Sequence, residues 1–256
     1  MKMPRNILIT GASSGLGAAL AVRYARAGNT LHLQGRNADN LEKTAEICRK
    51  NGAVVYSKII DVTDEISMKN WVEEADKISP LDLLIANAGI SAGTGGGGES
   101  VQQVKRIFAT NIDGVINSIQ PAIAPMLGRK SGQIAIMSSL AGIRALPSSP
   151  AYSASKACVR YYGESLRGVL LSRGVSVSVI CPGYIRTPMT AVNNFPMPFI
   201  MTAEKAAKII ARGLEKRRGR IAFPLGLYLP LWWIACLSPR LTDWAFSRLP
   251  AKPSCN

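Results

Sequence analysis

Ile7-Leu8-Ile9-Thr10-Gly11-Ala12-Ser13-Ser14-Gly15-Leu16-Gly17 is the stretch whose reading decides the fold. An apolar run of strand length, Ile7–Thr10, passes into a glycine-rich turn, and a helical pattern, Gly15–Ala27, follows at once. Glycines at such a turn let the backbone bend sharply and approach a pyrophosphate. The helix N-terminus then presents free N–H groups at the positive end of its dipole. Taken alone the turn also suits an ordinary strand-to-helix connection; its place in the chain gives it weight.

Outward from this stretch the same alternation repeats. Thr30–Gln34 precedes Asn40–Lys50, Val54–Ile60 precedes Glu65–Ile78, and Leu81–Ala86 precedes, across a glycine-rich loop, Val101–Ile119. Gln133–Ser138 precedes Ala151–Ser172, and Val175–Ile180 precedes, after a long irregular segment, Ala203–Lys216. The strand runs are almost continuously apolar, as in Leu83-Leu84-Ile85 and Ile134-Ala135-Ile136-Met137. Strands buried on both faces read that way. Repeated βα units predict an α/β fold: a single-domain, Rossmann-like, doubly wound parallel sheet flanked by helices on both faces. Residues 1–220 form that domain, and residues 221–256 an apolar and basic extension rather than a second domain.

Length and composition agree. A chain of 256 residues suits one such domain, and 47% hydrophobic against 18% charged residues excludes disorder as its main state. The net charge of +15 asks for nucleic acid, a membrane surface or an anionic ligand. The single histidine, His32, excludes multi-histidine metal sites, and its apolar strand neighbours suggest a structural role. Cys48, Cys158, Cys181, Cys236 and Cys255 form no CxxC pair. Reduced thiols are expected, with neither a disulfide framework nor a metal site. The run Ile7–Thr10 is too short for a signal-peptide core, so the N-terminus reads as the first strand of a cytoplasmic protein.

Further markers follow in order: Asn87-Ala88-Gly89 after the fourth strand run, Asn111, Ser139, Tyr152-Ser153-Ala154-Ser155-Lys156, and Pro182-Gly183 after the sixth. With the Gly11-x-x-x-Gly15-x-Gly17 spacing, this ordered set resembles the short-chain dehydrogenase/reductase family over roughly residues 5–220. The resemblance implies a nicotinamide cofactor held by Gly11, Ser13, Ser14, Gly15, Leu16 and Gly17, by Asn87, Ala88 and Gly89, and by Tyr152 and Lys156. It adds Asp61 and Val62 at the adenine, Pro182, Gly183 and Ile185 beyond the sixth strand, and Thr187 at the nicotinamide carboxamide. Where the second strand ends, an acidic residue would bind the ribose hydroxyls of NAD(H). The chain has Gly35-Arg36 there, and a guanidinium can pair with a 2′-phosphate. NADP(H) is therefore the expected cofactor, with NAD(H) as the alternative; a solvated arginine and a turn aspartate remain the other readings of Arg36 and Asp61.

Tyr152 and Lys156, four apart on one helix face, suit acid–base chemistry. An ammonium beside a phenol stabilises phenolate and brings its pKa down from about 10 toward the working range. Ser139, at the end of the fifth strand, can hydrogen-bond a substrate oxygen. Its neighbour Ser138 is a rival on sequence alone, and the spacing to Tyr152 in the resembling family favours Ser139. The resemblance also implies that Asn111 holds a water beside the lysine.

On the substrate side, residues 184–201 contain Tyr184, Met189, Phe195, Met197, Phe199 and Met201. They predict an apolar pocket, with Tyr184 and Met189 joining Ser139 and Tyr152 as substrate contacts, against the alternative of packing on the protein body. The loop Gly93-Thr94-Gly95-Gly96-Gly97-Gly98 is read as a flexible border of the entrance. The uncharged run Ile221–Leu237 carries Tyr228, Trp232 and Trp233 and follows Lys216-Arg217-Arg218-Gly219-Arg220. Its prolines oppose a straight membrane span. Attachment to the inner membrane face, a subunit contact or a flap over the pocket all fit it. The expected activity is NADP(H)-dependent hydride transfer to and from an apolar, lipid-like ketone or secondary alcohol, in a homodimer or homotetramer. A cofactor-binding sensor of the same fold with little turnover is the rival. Nothing in the chain marks a nucleic-acid partner.

Overall fold

The computed structural model describes residues 4–248, 250 and 252–254, without the side chains of 244 and 245. The expectations for the first three residues and for Cys255 lie outside the described residues.

The βα alternation appears as β1 (Asn6–Ile9), α1 (Gly15–Tyr24), β2 (Thr30–Gly35), α2 (Ala38–Lys50), β3 (Val54–Ile59), α3 (Glu65–Ile78) and β4 (Leu83–Ala86). α4 (Val101–Phe108) then meets α5 (Gly114–Gly128) through a π-helical turn, Ala109–Asp113, where the pattern predicted one helix ending near 119. β5 (Gly132–Met137), α6 (Pro150–Leu170) and β6 (Val175–Pro182) follow. The irregular segment holds the short elements β7 (Ile185–Arg186), α7 (Pro188–Ala191) and β8 (Met201–Thr202). β7 and β8 pair in parallel and so tie the two ends of that segment together. The chain continues through α8 (Ala203–Glu215), β9 (Arg220–Phe223), α9 (Leu225–Ala235) and α10 (Pro239–Phe246).

The main sheet has seven strands in the order β3-β2-β1-β4-β5-β6-β9, and each neighbouring pair is parallel. Side chains alternate across the pleat. Ile7 and Ile9 face one helical layer with Leu20, Ala207 and Ile210. Leu8 faces the other with Met68, Val72 and Ile119. Burial of each such side chain is worth roughly 1.5–3 kcal/mol, so the sheet with its two layers is a rigid base for the site. The strand order reverses between β1 and β4, and ligands in sheets of this kind bind at the strand C-termini beside that reversal.

One strand departs from the expectation of burial on both faces. Val54 and Ile59 of β3 are exposed, because β3 is the sheet edge and pairs only with β2. His32 is wholly buried. It bonds Asn6 Oδ1 through Nε2 at 2.9 Å and stacks on Tyr56. Burial pushes its pKa down to about 4, so it is neutral near pH 7. The four described cysteines are free.

Residues 221–223 complete β9, and α9 packs through Leu227, Tyr228 and Leu231 against Leu140, Val179 and Cys181. Glu164 bridges Arg160 and Arg220, and Arg220 reaches the Tyr228 hydroxyl at 3.2 Å, rooting α9. Arg144 holds α10, donating to Thr242 Oγ1 at 2.8 Å with its guanidinium over the Phe246 ring.

Candidate active site

The turn after β1 is shaped by contacts that leave no room for side chains. A Cβ on Gly17 would lie 2.1 Å from the Gly11 carbonyl oxygen, and one on Gly11 would lie 2.8 Å from the Ala88 Cα. Gly11 also has φ +66°. Asn87 locks the arrangement, its side-chain amide donating to the Thr10 carbonyl at 2.9 Å. The Thr10 hydroxyl accepts from the backbone N–H groups of Asn87 and Ala88. Ser14, the N-cap of α1, makes no side-chain capping bond, and the first turn of α1 carries no acidic residue. Its first N–H groups therefore face the cleft with positive character.

This cleft measures about 330 Å³. Gly11, Ser13, Ser14, Gly15, Leu16 and Gly17 line its floor. Arg36, Asp61 and Val62 stand at one end, with Asn87, Ala88 and Gly89 along the side. Tyr152, Lys156, Pro182, Gly183, Ile185 and Thr187 line the rest. The cradle of close-packed glycines, the helix terminus and the rim cation fit a dinucleotide.

Sequence reasoning missed Gln34, whose Oε1 accepts from the Gly11 N–H at 3.0 Å, and the liners Asn37, Ile90, Thr110 and Met137. These belong to no short motif. Gln34 shows only as a buried polar residue in an apolar strand.

Arg36 is largely exposed and meets Asp61 at 3.3 Å. Burial pushes the Asp61 carboxyl up, but hydrogen bonds from Thr63 and the Arg36 charge outweigh it and hold the group below its ordinary range. An exposed pair of this type is worth only about 0–1 kcal/mol, so Arg36 is readily available to a stronger anion.

A second cavity of about 370 Å³ adjoins the first. Tyr152, Gly183, Met189 and Thr190 line both. The structure separates the two serine rivals. Ser138 borders the first cleft, and its hydroxyl donates to the Lys156 carbonyl at 2.7 Å. Ser139 lines the second cavity and hydrogen-bonds Tyr152. Tyr184 is also there, edge-on to Phe195. Leu227 and Leu231 of α9 and Phe246 of α10 line the cavity too. The signal of Leu227 and Leu231 was hidden in a uniformly apolar stretch.

Lys156 is buried, donates to the Met137 carbonyl at 3.0 Å and sits 5.8 Å from the Tyr152 ring centre. Burial lowers its pKa to about 8. Tyr152 departs from the expectation of a lowered phenol. Burial pushes it up, and the Ser139 hydrogen bond offsets this only in part. Near neutral pH Tyr152 is thus a phenol, the form that donates a proton.

Asn111 lies in the π-turn, a feature common at functional sites. Its amide donates to the Ile90 carbonyl and to Ser155 Oγ, both at 3.0 Å, and its oxygen accepts from the Ile90 N–H. A Cβ on Gly89 would meet both Asn111 Oδ1 and Lys156 Nζ, so Asn111 and Lys156 reach the same face of Gly89. Among the described residues no cluster of His, Cys, Asp and Glu could hold a metal ion.

Comparison with known proteins agrees with this geometry. The family model described as short chain dehydrogenase matches residues 5–196. An uncharacterized oxidoreductase of Myxococcus xanthus is 36% identical, with 96% of this chain and 97% of that protein covered. One from Mycobacterium tuberculosis is 37% identical over 93% of this chain and 96% of that protein. The crystal structure of a short-chain dehydrogenase/reductase from Burkholderia phymatum, in complex with NAD, superposes with TM-score 0.80 at 26% identity, covering 99% of both chains. Sheet, glycine turn and relatives together place the chain in the short-chain dehydrogenase/reductase family of oxidoreductases.

Proposed function

We propose that the protein is an NADP(H)-preferring carbonyl reductase, reversible as an alcohol dehydrogenase, for apolar ketones and secondary alcohols. The observation that carries the reading is the junction of the two cavities at Tyr152, with Ser139 on the substrate side. When bound in the first cleft, the cofactor supplies or accepts the hydride. The glycine turn and the α1 N-terminus would hold its pyrophosphate, and Arg36 its 2′-phosphate. In reduction the Tyr152 hydroxyl gives its proton to the substrate oxygen; in oxidation the phenolate takes it back. Ser139 donates a hydrogen bond to the same oxygen as charge develops there. Lys156 stabilises the phenolate left behind, and Asn111 fixes the backbone on that side of the lysine.

The second cavity supports an apolar substrate, since Leu140, Met189, Phe195, Leu227, Leu231 and Phe246 are among its walls. We read residues 221–256 as part of the catalytic unit on the same ground. Outward from α9, Leu225, Leu229, Trp232 and Trp233 are exposed. Among the described residues no helix is long and apolar enough to cross a membrane. Rings and leucines on a surface helix beside cations suit a headgroup region, so this face supports contact of a cytoplasmic homodimer or homotetramer with the inner membrane face. Co-sedimentation with anionic vesicles that persists in Trp232→Ser/Trp233→Ser would oppose that contact. The test of the catalytic reading is oxidation of NADPH and of NADH across a panel of apolar ketones. Turnover at least about tenfold better with NADPH is expected. Absence of turnover with every ketone, or equal use of both cofactors, contradicts it.

A further inference from the structure

α6 carries Tyr152 and Lys156, and its own residues do not cap its first turn. Ser149 is the N-cap, but its side chain makes no capping hydrogen bond, and the turn holds no acidic residue. Pro150, at the first helical position, has no N–H to satisfy. The helix's own bonding begins with the Ser153 N–H, which donates to the Ser149 carbonyl at 3.0 Å. The N–H groups of Ala151 and Tyr152 are left to find acceptors outside the helix. For Ala151 the acceptor comes from a distant part of the chain: its N–H donates to Glu99 Oε2 at 2.8 Å.

Glu99 is itself held. Its Oε1 accepts from Gln103 Nε2 at 3.3 Å, and the same amide donates to the Gly93 carbonyl at 3.0 Å. Gln103 is buried, so one fixed side chain ties Glu99 to the start of the glycine loop. The Thr94 N–H of that loop donates to the Ser148 carbonyl at 3.1 Å, just ahead of α6. The loop that the sequence presents as an entrance border is therefore bonded to the beginning of the helix that carries Tyr152. Tyr152 follows Ala151 directly, so the geometry of this turn sets where its hydroxyl stands between the two cavities. An uncapped helix end frays, and misplacing a reacting group by about 1 Å can cost up to about a hundredfold in rate. Building on the proposed acid–base role of Tyr152, we propose that Glu99 is a positioning residue: it caps α6 from the glycine loop and so fixes Tyr152 for proton transfer. Lys156, one turn further along, has anchors of its own, from its ammonium to the Met137 carbonyl and from the Ser138 hydroxyl to its carbonyl. The effect of Glu99 accordingly falls on Tyr152 and spares the cofactor cleft.

Two measurements on the full-length protein test this: steady-state NADPH oxidation with an apolar ketone, and backbone hydrogen exchange at the start of α6 read by mass spectrometry. Glu99→Ala should lower kcat roughly tenfold while the Kd for NADPH stays within about twofold of wild type. It should also speed exchange over the first turn of α6. Glu99→Gln keeps an accepting oxygen at the same reach and should hold kcat within about threefold of wild type. Glu99→Asp keeps the charge but shortens the reach, and its kcat should lie below that of the glutamine variant. This milder pair carries the test even where Glu99→Ala folds poorly. An unchanged kcat in Glu99→Ala, a kcat lower in Glu99→Gln than in Glu99→Asp, or a parallel loss of NADPH affinity overturns the proposal. The exchange measurement needs no turnover. Unchanged exchange in Glu99→Ala, beside a wild type that turns over ketone, defeats the cap alone. Faster exchange, with Tyr152→Phe as active as wild type, defeats the acid–base reading of Tyr152 and the positioning role with it.

Discussion

The two cavities that meet at Tyr152 are built by different means. The cofactor cleft is made of backbone: glycines pressed against the neighbouring loop, a helix terminus, and Asn87 and Thr10 fastening two strand ends together. Its parts come from the ends of successive strands, so the sheet fixes their positions. The second cavity is made largely of side chains from an irregular segment, two C-terminal helices and a tail. Its position is fixed by a few polar anchors, Arg144 and Arg220 among them. A fold can keep the first cleft while changing the second, and this division is open to test.

The largest one-sided effect should come from Gly17→Ala. The added Cβ meets a backbone carbonyl, which side-chain motion cannot relieve. A loss of NADPH affinity of roughly a hundredfold is expected by equilibrium titration, in line with overpacking costs of about 1–3 kcal/mol. An unchanged affinity would show that the turn is more yielding than its geometry. Arg36→Ala should follow, with NADPH binding weakened about tenfold and NADH binding nearly unchanged. Equal loss for both cofactors would make Arg36 a structural residue. Leu231→Ala should act on the other side, raising KM for an apolar ketone by roughly five- to tenfold with the Kd for NADPH unchanged. A change in that Kd would mean the two cavities are energetically one.

His32 should affect neither site directly, but should set part of the acid sensitivity of the scaffold. Its pKa is about 4 folded against an ordinary value near 6.5. Between those values the unfolded chain takes up the proton first, so this contribution to stability is full above pH 6.5. It declines as pH falls to 4, by roughly 3 kcal/mol in all. Chemical denaturation should show a flatter pH profile for His32→Gln over that window. Parallel profiles would place the acid sensitivity elsewhere.

The same contrast explains what was legible in the sequence. Gly11 and Gly17 act through backbone geometry in the turn after the first strand of a regular repeat, so the pattern points to them, and the family resemblance adds Asn87 and Gly89. The spacing to Tyr152 in the resembling family favours Ser139 over Ser138, and what spacing does not carry is that the two side chains leave the end of β5 toward different cavities. Leu227 and Leu231 share a helix with Leu225, Leu229 and Trp233, which are exposed. With both faces apolar, periodicity could not say which one lines the cavity. β3 groups with the buried strands for its apolar residues, although Ser57 and Lys58 interrupt them, and the strand order shows it to be an edge. The lowered phenol expected beside Lys156 failed for a related reason: spacing reports the charge of a neighbour but not the burial of both groups. The charge excess is likewise clearer in three dimensions. Arg144, Arg160 and Arg220 are structural anchors, and Arg36 and Lys252 border the two cavities.

Tyr152 is the side chain on which both cavities converge, and Tyr152→Phe tests the account most directly. The substitution keeps the ring and removes the proton donor. Steady-state NADPH oxidation with an apolar ketone should fall by about 10²–10⁴-fold in kcat, while the Kd for NADPH stays within about twofold of wild type. Turnover retained near the wild-type rate would contradict the assignment of Tyr152 as the acid–base residue, and with it the central claim.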